Sequence, residues 1–462
     1  YCNCESGQVE VTHGITFCDA TRVWWRIALL SFGGPAGQIA VMHRILVDEK
    51  RWIGERRFLH ALNFCMLLPG PEAQQLATYI GWLMHRTWGG VAAGLLFVLP
   101  SLFILIGLSW IYVVFGHVLW VAALLYGMKP AVAAIVVHAV WRIGSRVLKN
   151  PAKAPALPAL AAMSFIAIAF LNVPFPAVVL VAAVVGWVGA RWAPGQFAGP
   201  GGHGANTNTG APHPPAVIDD GSPTPNHARF SRSRLATVLA FGAALWLLPM
   251  AALLLGFGWQ GTVTQMAWFF TKAALLTFGG AYAVLPYVHQ GAVEHFQWLT
   301  AAQMIDGLAL GETTPGPLIM VVAFVGFLGG WAKQVLGPEM LFMGAALAAG
   351  VVTWFTFLPS FIFILAGGPL VESTHGKLGF TAPLTAISAA VVGVMAHLAL
   401  FFIAAVAVNT GANGPFYAQI DWAAVTVMLT AAWVLFRQKA GVIPVIAGCA
   451  VAGLLIRILP IG

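Results

Sequence analysis

Two apolar segments of the chain, 246 residues apart, carry the same arrangement of a cation, glycines and prolines. Duplicated apolar segments that are interrupted by glycine and proline are typical of the substrate site of a membrane transporter. The constant spacing indicates an internal duplication. The matched residues are Arg26, Phe32-Gly33-Gly34, Trp52 and Pro69-Gly70-Pro71 in the first copy, and Lys272, Phe278-Gly279-Gly280, Trp298 and Pro315-Gly316-Pro317 in the second.

The two cations, Arg26 and Lys272, occupy equivalent positions inside apolar sequence. A charge at the centre of a bilayer costs at least about 2.5–3.5 kcal/mol. One interpretation is that each side chain extends toward the lipid headgroups, since each lies near a segment end. Their occurrence in both copies, shortly before a Gly-Gly break, favours the other interpretation, in which the pair binds a divalent anion.

The breaks themselves can supply an anion site. Each Pro-Gly-Pro ends one helix and starts another, and the restarted helix presents free N–H groups and the positive end of its dipole. A structural kink is the alternative, and the Gly-Gly pairs serve either close approach to a ligand or close helix packing. Thr314 is expected to cap the restarted helix. The predicted substrate-binding residues are Arg26, Lys272, Gly33, Gly34, Gly279, Gly280, Pro69, Gly70, Pro71, Gln75, Thr313, Thr314, Pro315, Gly316 and Pro317.

Three carboxylates, Glu72, Asp306 and Glu312, lie in or beside the interrupted segments. Carboxylates at membrane depth mark proton pathways in transporters, so each is a candidate for carrying a coupled proton. Glu72 has a second interpretation, in which it stabilises the start of the restarted helix through the helix dipole. Their counterparts in the other copy are Leu318, His60 and Met66, so a proton pathway through them is asymmetric.

The composition is that of a protein embedded in lipid. Of 462 residues, 59% are hydrophobic and 8% are charged, whereas soluble domains carry about 25% charged residues. The long apolar runs lack the alternation of barrel strands, so we predict an all-α integral membrane protein. About 9–13 membrane segments are expected, with broken or re-entrant helices at the Pro-Gly-Pro and Phe-Gly-Gly motifs.

The second copy begins an odd number of segments after the first, which predicts an inverted repeat. Loop 43–58 holds five basic residues and its counterpart 289–304 holds none, so the two loops are expected on opposite sides. Re-entrant first and second segments in each half keep loop 43–58 on the cytoplasmic side, and we favour them over fully spanning ones. The predicted parts are an N-terminal transporter half (1–192), a polar flexible linker (193–234), a connecting transmembrane helix (235–256) and a C-terminal inverted half (257–462).

Other classes of function are disfavoured. The net charge of +8 lies largely in loops beside apolar segments, where it indicates topology and contact with membrane lipid rather than nucleic acid. We find no His-Glu-x-x-His, Gly-x-Ser-x-Gly or phosphate-loop pattern, so an enzyme is not expected. Five cysteines show no pairing or metal-binding pattern, so neither a metal nor another cofactor is expected.

The motifs resemble those of the chromate ion transporter family in its long-chain, two-domain form. They are Phe-Gly-Gly-Pro-Ala-Gly-Gln at 32–38, Leu-Pro-Gly-Pro-Glu at 68–72 and Gly-Glu-Thr-Thr-Pro-Gly-Pro-Leu at 311–318, within a match over about 20–192 and 257–460. The residues that carry the resemblance are Phe32, Gly33, Gly34, Pro69, Gly70, Pro71, Glu72, Gln75, Phe278, Gly279, Gly280, Glu312, Thr313, Thr314, Pro315, Gly316 and Pro317.

The resemblance implies a secondary transporter that exports chromate across the bacterial inner membrane and confers chromate resistance. It implies that the proton gradient or the membrane potential supplies the energy, and that sulfate, another tetrahedral dianion, competes. Import or exchange of sulfate or another oxyanion is the alternative function. The sequence leaves open whether the chain forms a homo-oligomer.

Overall fold

A computed structural model describes residues 14–148, 154–197, 216–219, 225–278, 280–374, 381–408 and 419–458. Within these ranges the protein is built from helices, of which six are long and apolar enough to cross a membrane. The α-helices are α1 (Phe17–Leu30), α2 (Gly34–His43), α3 (Glu55–Cys65), α4 (Glu72–Phe115), α5 (Leu119–Val147), α6 (Ala156–Ala169), α7 (Phe175–Trp192), α8 (Arg232–Phe257), α9 (Thr262–Leu276), α10 (Leu285–His289), α11 (Ala301–Thr313), α12 (Val321–Ala332), α13 (Leu341–Thr374), α14 (Thr381–Ala407), α15 (Trp422–Trp433) and α16 (Val442–Ile458).

The first interrupted segment is a hairpin of two helices, α1 and α2. The chain leaves helical geometry at Ser31 and turns at Gly33, whose φ of 81° lies in the left-handed region that favours glycine. Glu49, which follows α2, lies 3.2 Å from the Arg26 guanidinium in α1. The chain has therefore reversed direction at the Phe-Gly-Gly motif.

The second interrupted segment folds in the same way. α3 ends before Pro69-Gly70-Pro71, and α4 starts directly after this motif. α4 reverses again at His85 and Arg86, where φ and ψ of Arg86 are 56° and −156°. The helix therefore has a short leg, residues 72–84, and a long leg, residues 87–115.

Both hairpins of the first half open at one end of the molecule. The rings of Phe17, at the start of α1, and His85, at the end of the short leg, are 5.7 Å apart. Arg57, near the start of α3, and Tyr79, in the short leg, both donate to the carboxylate of Glu372. We call this end the Arg57 face. The first two segments are therefore re-entrant, as the basic loop predicts.

The second half repeats this plan from the opposite end. Short π-helical turns occur at 44–49 and at 290–295, which is the same spacing that separates the repeated motifs. Gly116, where the long leg of α4 ends, and Gln303, the counterpart of Arg57, line one cavity. The second pair of hairpins thus opens at the far end of the long leg, which we call the Gln303 face. This arrangement confirms an all-α fold of two homologous, inverted halves.

The later helices of each half pack against helices of the other half. α5 packs on α15 and α16, while its counterpart α14 packs on α6 and α7. Small residues allow this contact: a Cβ on Gly127 of α5 would lie 2.0 Å from the carbonyl oxygen of Cys449, and one on Gly393 of α14 would lie 1.9 Å from that of Ala161. Close backbone approach through small residues is a common mode of helix packing in membranes.

Two described pieces of the linker, 216–219 and 225–230, pack against the first half. Ile218 and Ala228 are buried there, at 5% and 0% exposure. The composition of 193–234 predicts a polar flexible linker, and within it these two pieces contribute apolar side chains to the core. α8 follows from Arg232, three residues before the predicted start.

Candidate functional site

The breaks of the two halves meet as two crossed pairs. The N–H of Gly70 donates to the carbonyl oxygen of Thr277, and the N–H of Gly316 donates to that of Ser31, both at 2.8 Å. Ser31 and Thr277 are counterparts in the repeat, directly precede the Phe-Gly-Gly motifs and are fully buried. Each Pro-Gly-Pro motif is therefore held by the Phe-Gly-Gly loop of the other half.

A second crossing involves a Leu-Pro-Ser sequence that also occurs in both halves. Gly70 has a φ of 127°, and a Cβ at this position would lie 2.3 Å from Oγ of Ser360. Gly316 has a φ of 113°, and its Cβ would lie 2.9 Å from Cβ of Ser101. Glycine is thus required at the centre of both motifs by backbone conformation and by space.

The restarted helices begin differently from the expectation. Thr314 ends α11, and its Oγ1 donates to the Gly311 carbonyl oxygen at 2.9 Å, so its expected role as an N-cap is wrong. Pro71 and Pro317 occupy the N-cap positions of α4 and of a 3-10 turn at 318–320, without a side-chain cap. Proline fixes the backbone there, and the first N–H groups of each restarted helix have no partner inside it.

Several polar side chains around the crossing are buried with one oxygen unpaired. Gln75 donates through Nε2 to the Pro69 carbonyl oxygen at 2.7 Å, and Gln38 donates to that of Gly316 at 2.5 Å. Buried polar atoms without partners are costly, so this interior suits water, a proton or a polar ligand. Among the described residues, the unpaired atoms here are Oε1 of Gln38, Gln74 and Gln75 and Oε2 of Glu312.

Two of the predicted carboxylates lie at the crossing. Oε1 of Glu72 is 3.8 Å from the position that a Cβ of Gly280 would take. Glu312 is buried and accepts a hydrogen bond at 2.5 Å from the hydroxyl of Tyr282, whose ring is 4.0 Å from the Cβ position of Gly34. Gly280 therefore lies beside an acidic group of the other half, and Gly34 lies beside the tyrosine that donates to one.

The predicted cations lie farther out along the helices. Arg26 pairs with Glu49, and its side chain is 52% exposed. Lys272 is half-buried, with Nζ 5.7 Å from the ring centre of Trp268. No hydrogen bond or ion pair within the described ranges joins either cation to the crossed breaks, and their role in substrate binding stays a prediction. Gly279 lies outside the described residues.

Asp306, the third predicted carboxylate, belongs to a separate cluster at the Gln303 face. Its Oδ2 accepts a hydrogen bond from the Tyr112 hydroxyl at 2.9 Å and lies 3.5 Å from Nζ of Lys129. Its Oδ1 is buried without a partner in the described part of the chain. Asp306 is therefore separated by one to two turns of α11 from Glu312 and is held by residues that the sequence did not single out.

Comparison with known proteins gives the family. The family model described as chromate transporter matches residues 18–187 and 264–454, which correspond to the two halves. The chain belongs to the chromate transporter family. No solved structure matches it. As a member of this family whose described residues include six helices of membrane length, it is a multi-pass membrane protein.

Two relatives align with most of the chain, and a third aligns with less than a third of it. A chromate transport protein of Pseudomonas aeruginosa is 32% identical over 381 residues, which are 80% of this chain and 77% of that protein. A chromate transport protein of Cupriavidus metallidurans is 28% identical over 393 residues, 84% of this chain and 83% of its own. An uncharacterized transporter of Bacillus subtilis is 29% identical over 132 residues, which are 67% of that protein and 29% of this chain.

Several residues at the crossing of this chromate transporter family member were missed in the sequence. Tyr282 and Gln38 have no polar counterpart in the other copy, so the repeat gives no signal for them. Ser101 and Ser360 do recur, within Leu-Pro-Ser, and this recurrence was the available signal.

The pair of Lys129 and Asp306 gives a first prediction. Lys129→Met removes the charge that faces a carboxylate at 4% exposure, while Lys129 itself is 32% exposed. Because water screens the lysine in part, we expect a loss of about 2 kcal/mol in stability. Thermal unfolding of the purified protein in detergent measures it. The double variant Lys129→Met with Asp306→Asn should recover most of the lost stability. Equal melting temperatures for Lys129→Met and the unchanged protein would contradict the prediction.

Proposed function

We propose that this chain exports chromate across the bacterial inner membrane, driven by the proton gradient or the membrane potential, and so confers chromate resistance. Relatives that align along most of the chain carry the name chromate transport protein. The observation that carries the proposal is the crossed pair of hydrogen bonds from Gly70 to Thr277 and from Gly316 to Ser31. It brings two restarted helices and two glycine loops together from opposite faces.

In the proposed site, the tetrahedral dianion lies between the starts of the restarted helices. Free N–H groups and the positive ends of two helix dipoles stabilise negative charge at such positions. Gly33, Gly34 and Gly280 leave the backbone open for close approach, and the amide groups of Gln74 and Gln75 line the same interior. The hydrogen bonds to the oxyanion come from the free N–H groups of the helix starts and the glycine loops, since the unpaired atoms of Gln74 and Gln75 are acceptor oxygens.

Arg26 and Lys272 act as guides in this proposal. Each stands five residues before Ser31 or Thr277, a rise of about 7.5 Å along the helix. An anion that crosses the membrane passes one of these cations before it reaches the crossing and the other after it. The coupled ion is the proton, and Glu312, Glu72 and Asp306 are its proposed carriers.

Uptake into inside-out membrane vesicles tests the function. We expect vesicles that contain the protein to accumulate radiolabelled chromate when energised, to lose this uptake with an uncoupler, and to lose much of it in excess sulfate. The control is vesicles from the same cells without the protein. Chromate uptake equal to that control, together with sulfate flux in right-side-out vesicles, would replace export with the alternative of sulfate import or exchange.

The two cations give a second prediction. Arg26→Ala and Lys272→Ala should each lower the initial rate of chromate uptake at least about tenfold, since a charge-assisted contact with the anion is lost. Arg22→Ala is the matched control, because Arg22 lies on the same helix as Arg26 with a side chain that is 77% exposed. Full uptake by a protein carrying both Arg26→Ala and Lys272→Ala would remove the cations from the transport pathway.

A further inference from the structure

A cavity of about 400 Å³ opens at the Gln303 face. It lies among the end of the long leg of α4, α5, and the hairpin of α11 and α12. Lys129 supplies a cation to its wall, directly beside Asp306, whose Oδ1 is buried and unpaired among the described residues. Its polar lining residues are Tyr112, His117, Lys129, Gln303 and Asp306, and two tryptophans, Trp298 and Trp331, also line it.

The repeat places a counterpart of this cavity at the Arg57 face. The counterparts of the lining residues Gln303 and Val113 are Arg57 and Glu372. Where the Gln303 face has these two neutral side chains, the Arg57 face has an ion pair. The guanidinium of Arg57 lies 2.9 Å from the carboxylate of Glu372, and the two side chains are 9% and 8% exposed. The hydroxyl of Tyr79 donates to the same carboxylate at 2.5 Å. The Arg57 face is therefore held together where the Gln303 face is open.

Part of the linker covers the same place. Ile218 forms a parallel bridge with Ile53, its carbonyl oxygen accepts the N–H of Gly54 at 3.0 Å, and its side chain is buried. Nη1 of Arg57 donates to the carbonyl oxygen of Asp219 at 3.2 Å. The linker is thus bonded both to the loop before α3 and to the ion pair.

The second linker piece covers the short leg of α4. His227 contacts the carbonyl oxygen of Trp82 through Nε2 at 2.9 Å, and the two rings are 5.6 Å apart. Trp82 is the counterpart of Leu328, which lines the open cavity. Both linker pieces therefore lie over positions whose counterparts are accessible at the other face.

We infer that the cavity at the Gln303 face is the exit vestibule for the oxyanion, and that the Arg57–Glu372 pair and linker residues 216–219 form the closed gate of the entry vestibule at the Arg57 face. The inference rests on the proposed transport function. In the open vestibule Lys129 separates from Asp306 and binds the anion. For the protein to admit the anion at the Arg57 face, the ion pair must separate and Ile218 must leave its pocket.

A disulfide across the gate tests whether it must open. A Cβ on Gly54 would lie 3.5 Å from Cα of Asp219, which is within reach of a disulfide. In a background without the native cysteines, Gly54→Cys with Asp219→Cys should lose at least about tenfold of its chromate uptake on oxidation and recover with dithiothreitol. The two single variants are the controls. Full uptake with the disulfide formed would show that the linker is a static cover and would overturn the inference.

Cysteine labelling tests the same asymmetry without any substrate. Leu125 lines the open cavity, and its counterpart Leu384 is equally half-buried. In purified protein, a hydrophilic maleimide should label Leu125→Cys at least about tenfold faster than Leu384→Cys. Arg57→Gln with Glu372→Val, which copies the open face onto the closed one, should raise labelling of Leu384→Cys. Equal labelling of both cysteines in the otherwise unchanged protein would overturn the gate, whereas failure of chromate transport alone would leave this result unaffected.

Discussion

Gly316→Ala and Gly70→Ala are expected to abolish transport. Both glycines have φ values above 110°, where an alanine is strained by about 1–2 kcal/mol, and their new Cβ atoms would lie 2.9 Å or less from Ser101 or Ser360. The Pro-Gly-Pro motifs must then shift, and the crossed hydrogen bonds to Ser31 and Thr277 lengthen. We expect chromate uptake into inside-out vesicles to fall by more than about tenfold in each variant.

Gly107→Ala is the matched control for this effect. Gly107 lies in the long leg of α4, and a Cβ there would have no atom within 4 Å. Alanine favours a helix over glycine by about 1 kcal/mol, so this variant should be as stable as the unchanged protein or more so. If Gly316→Ala transported chromate as fast as Gly107→Ala, the crossed hydrogen bonds would not require glycine at position 316.

Glu312→Gln is expected to uncouple transport from the proton gradient. Glu312 is buried, its Oε1 is held by Tyr282, and its Oε2 has no partner among the described residues. The amide keeps the shape and can still accept from Tyr282, but it cannot take up and release a proton. We expect uptake driven by an imposed pH gradient to fall at least about tenfold, while counterflow of chromate without a gradient persists.

The control for Glu312→Gln is Glu339→Gln, in an exposed turn before α13. It should leave both modes of uptake unchanged. If Glu312→Gln keeps full pH-driven uptake, Glu312 does not carry the coupled proton. Asp306→Asn and Glu72→Gln would then distinguish the two other carboxylates by the same pair of measurements.

The breaks could be predicted from the sequence because proline and glycine act locally. Pro-Gly-Pro interrupts a helix whatever packs around it. The two copies of this motif therefore predicted where α3 and α11 end and where α4 begins. The excess of basic residues in loop 43–58 likewise indicated that the first segments turn back, since charge resists transfer through lipid.

What the sequence could not give is which breaks meet. The hydrogen bond from Gly70 to Thr277 joins residues 207 positions apart, and neither periodicity nor spacing reports such a pairing. Lys129 and Tyr282 were missed because each lies inside apolar sequence and has no counterpart of the same kind in the other copy. Glu372 was missed because its counterpart is the apolar Val113. The burial of Ile218 was not predicted because many glycines and prolines surround the short apolar stretch that contains it.

Because helices of each half pack against helices of the other, the first half cannot assemble fully until the second half has been synthesised. α5 ends at Val147, yet its partners α15 and α16 begin only at Trp422 and Val442, so they are synthesised much later. Until then, the glycine surface around Gly127 faces lipid rather than Cys449 and Gly453. The first half thus waits in the bilayer as an unfinished intermediate, and a chain cut short before α15 leaves the first half without the helices that complete it.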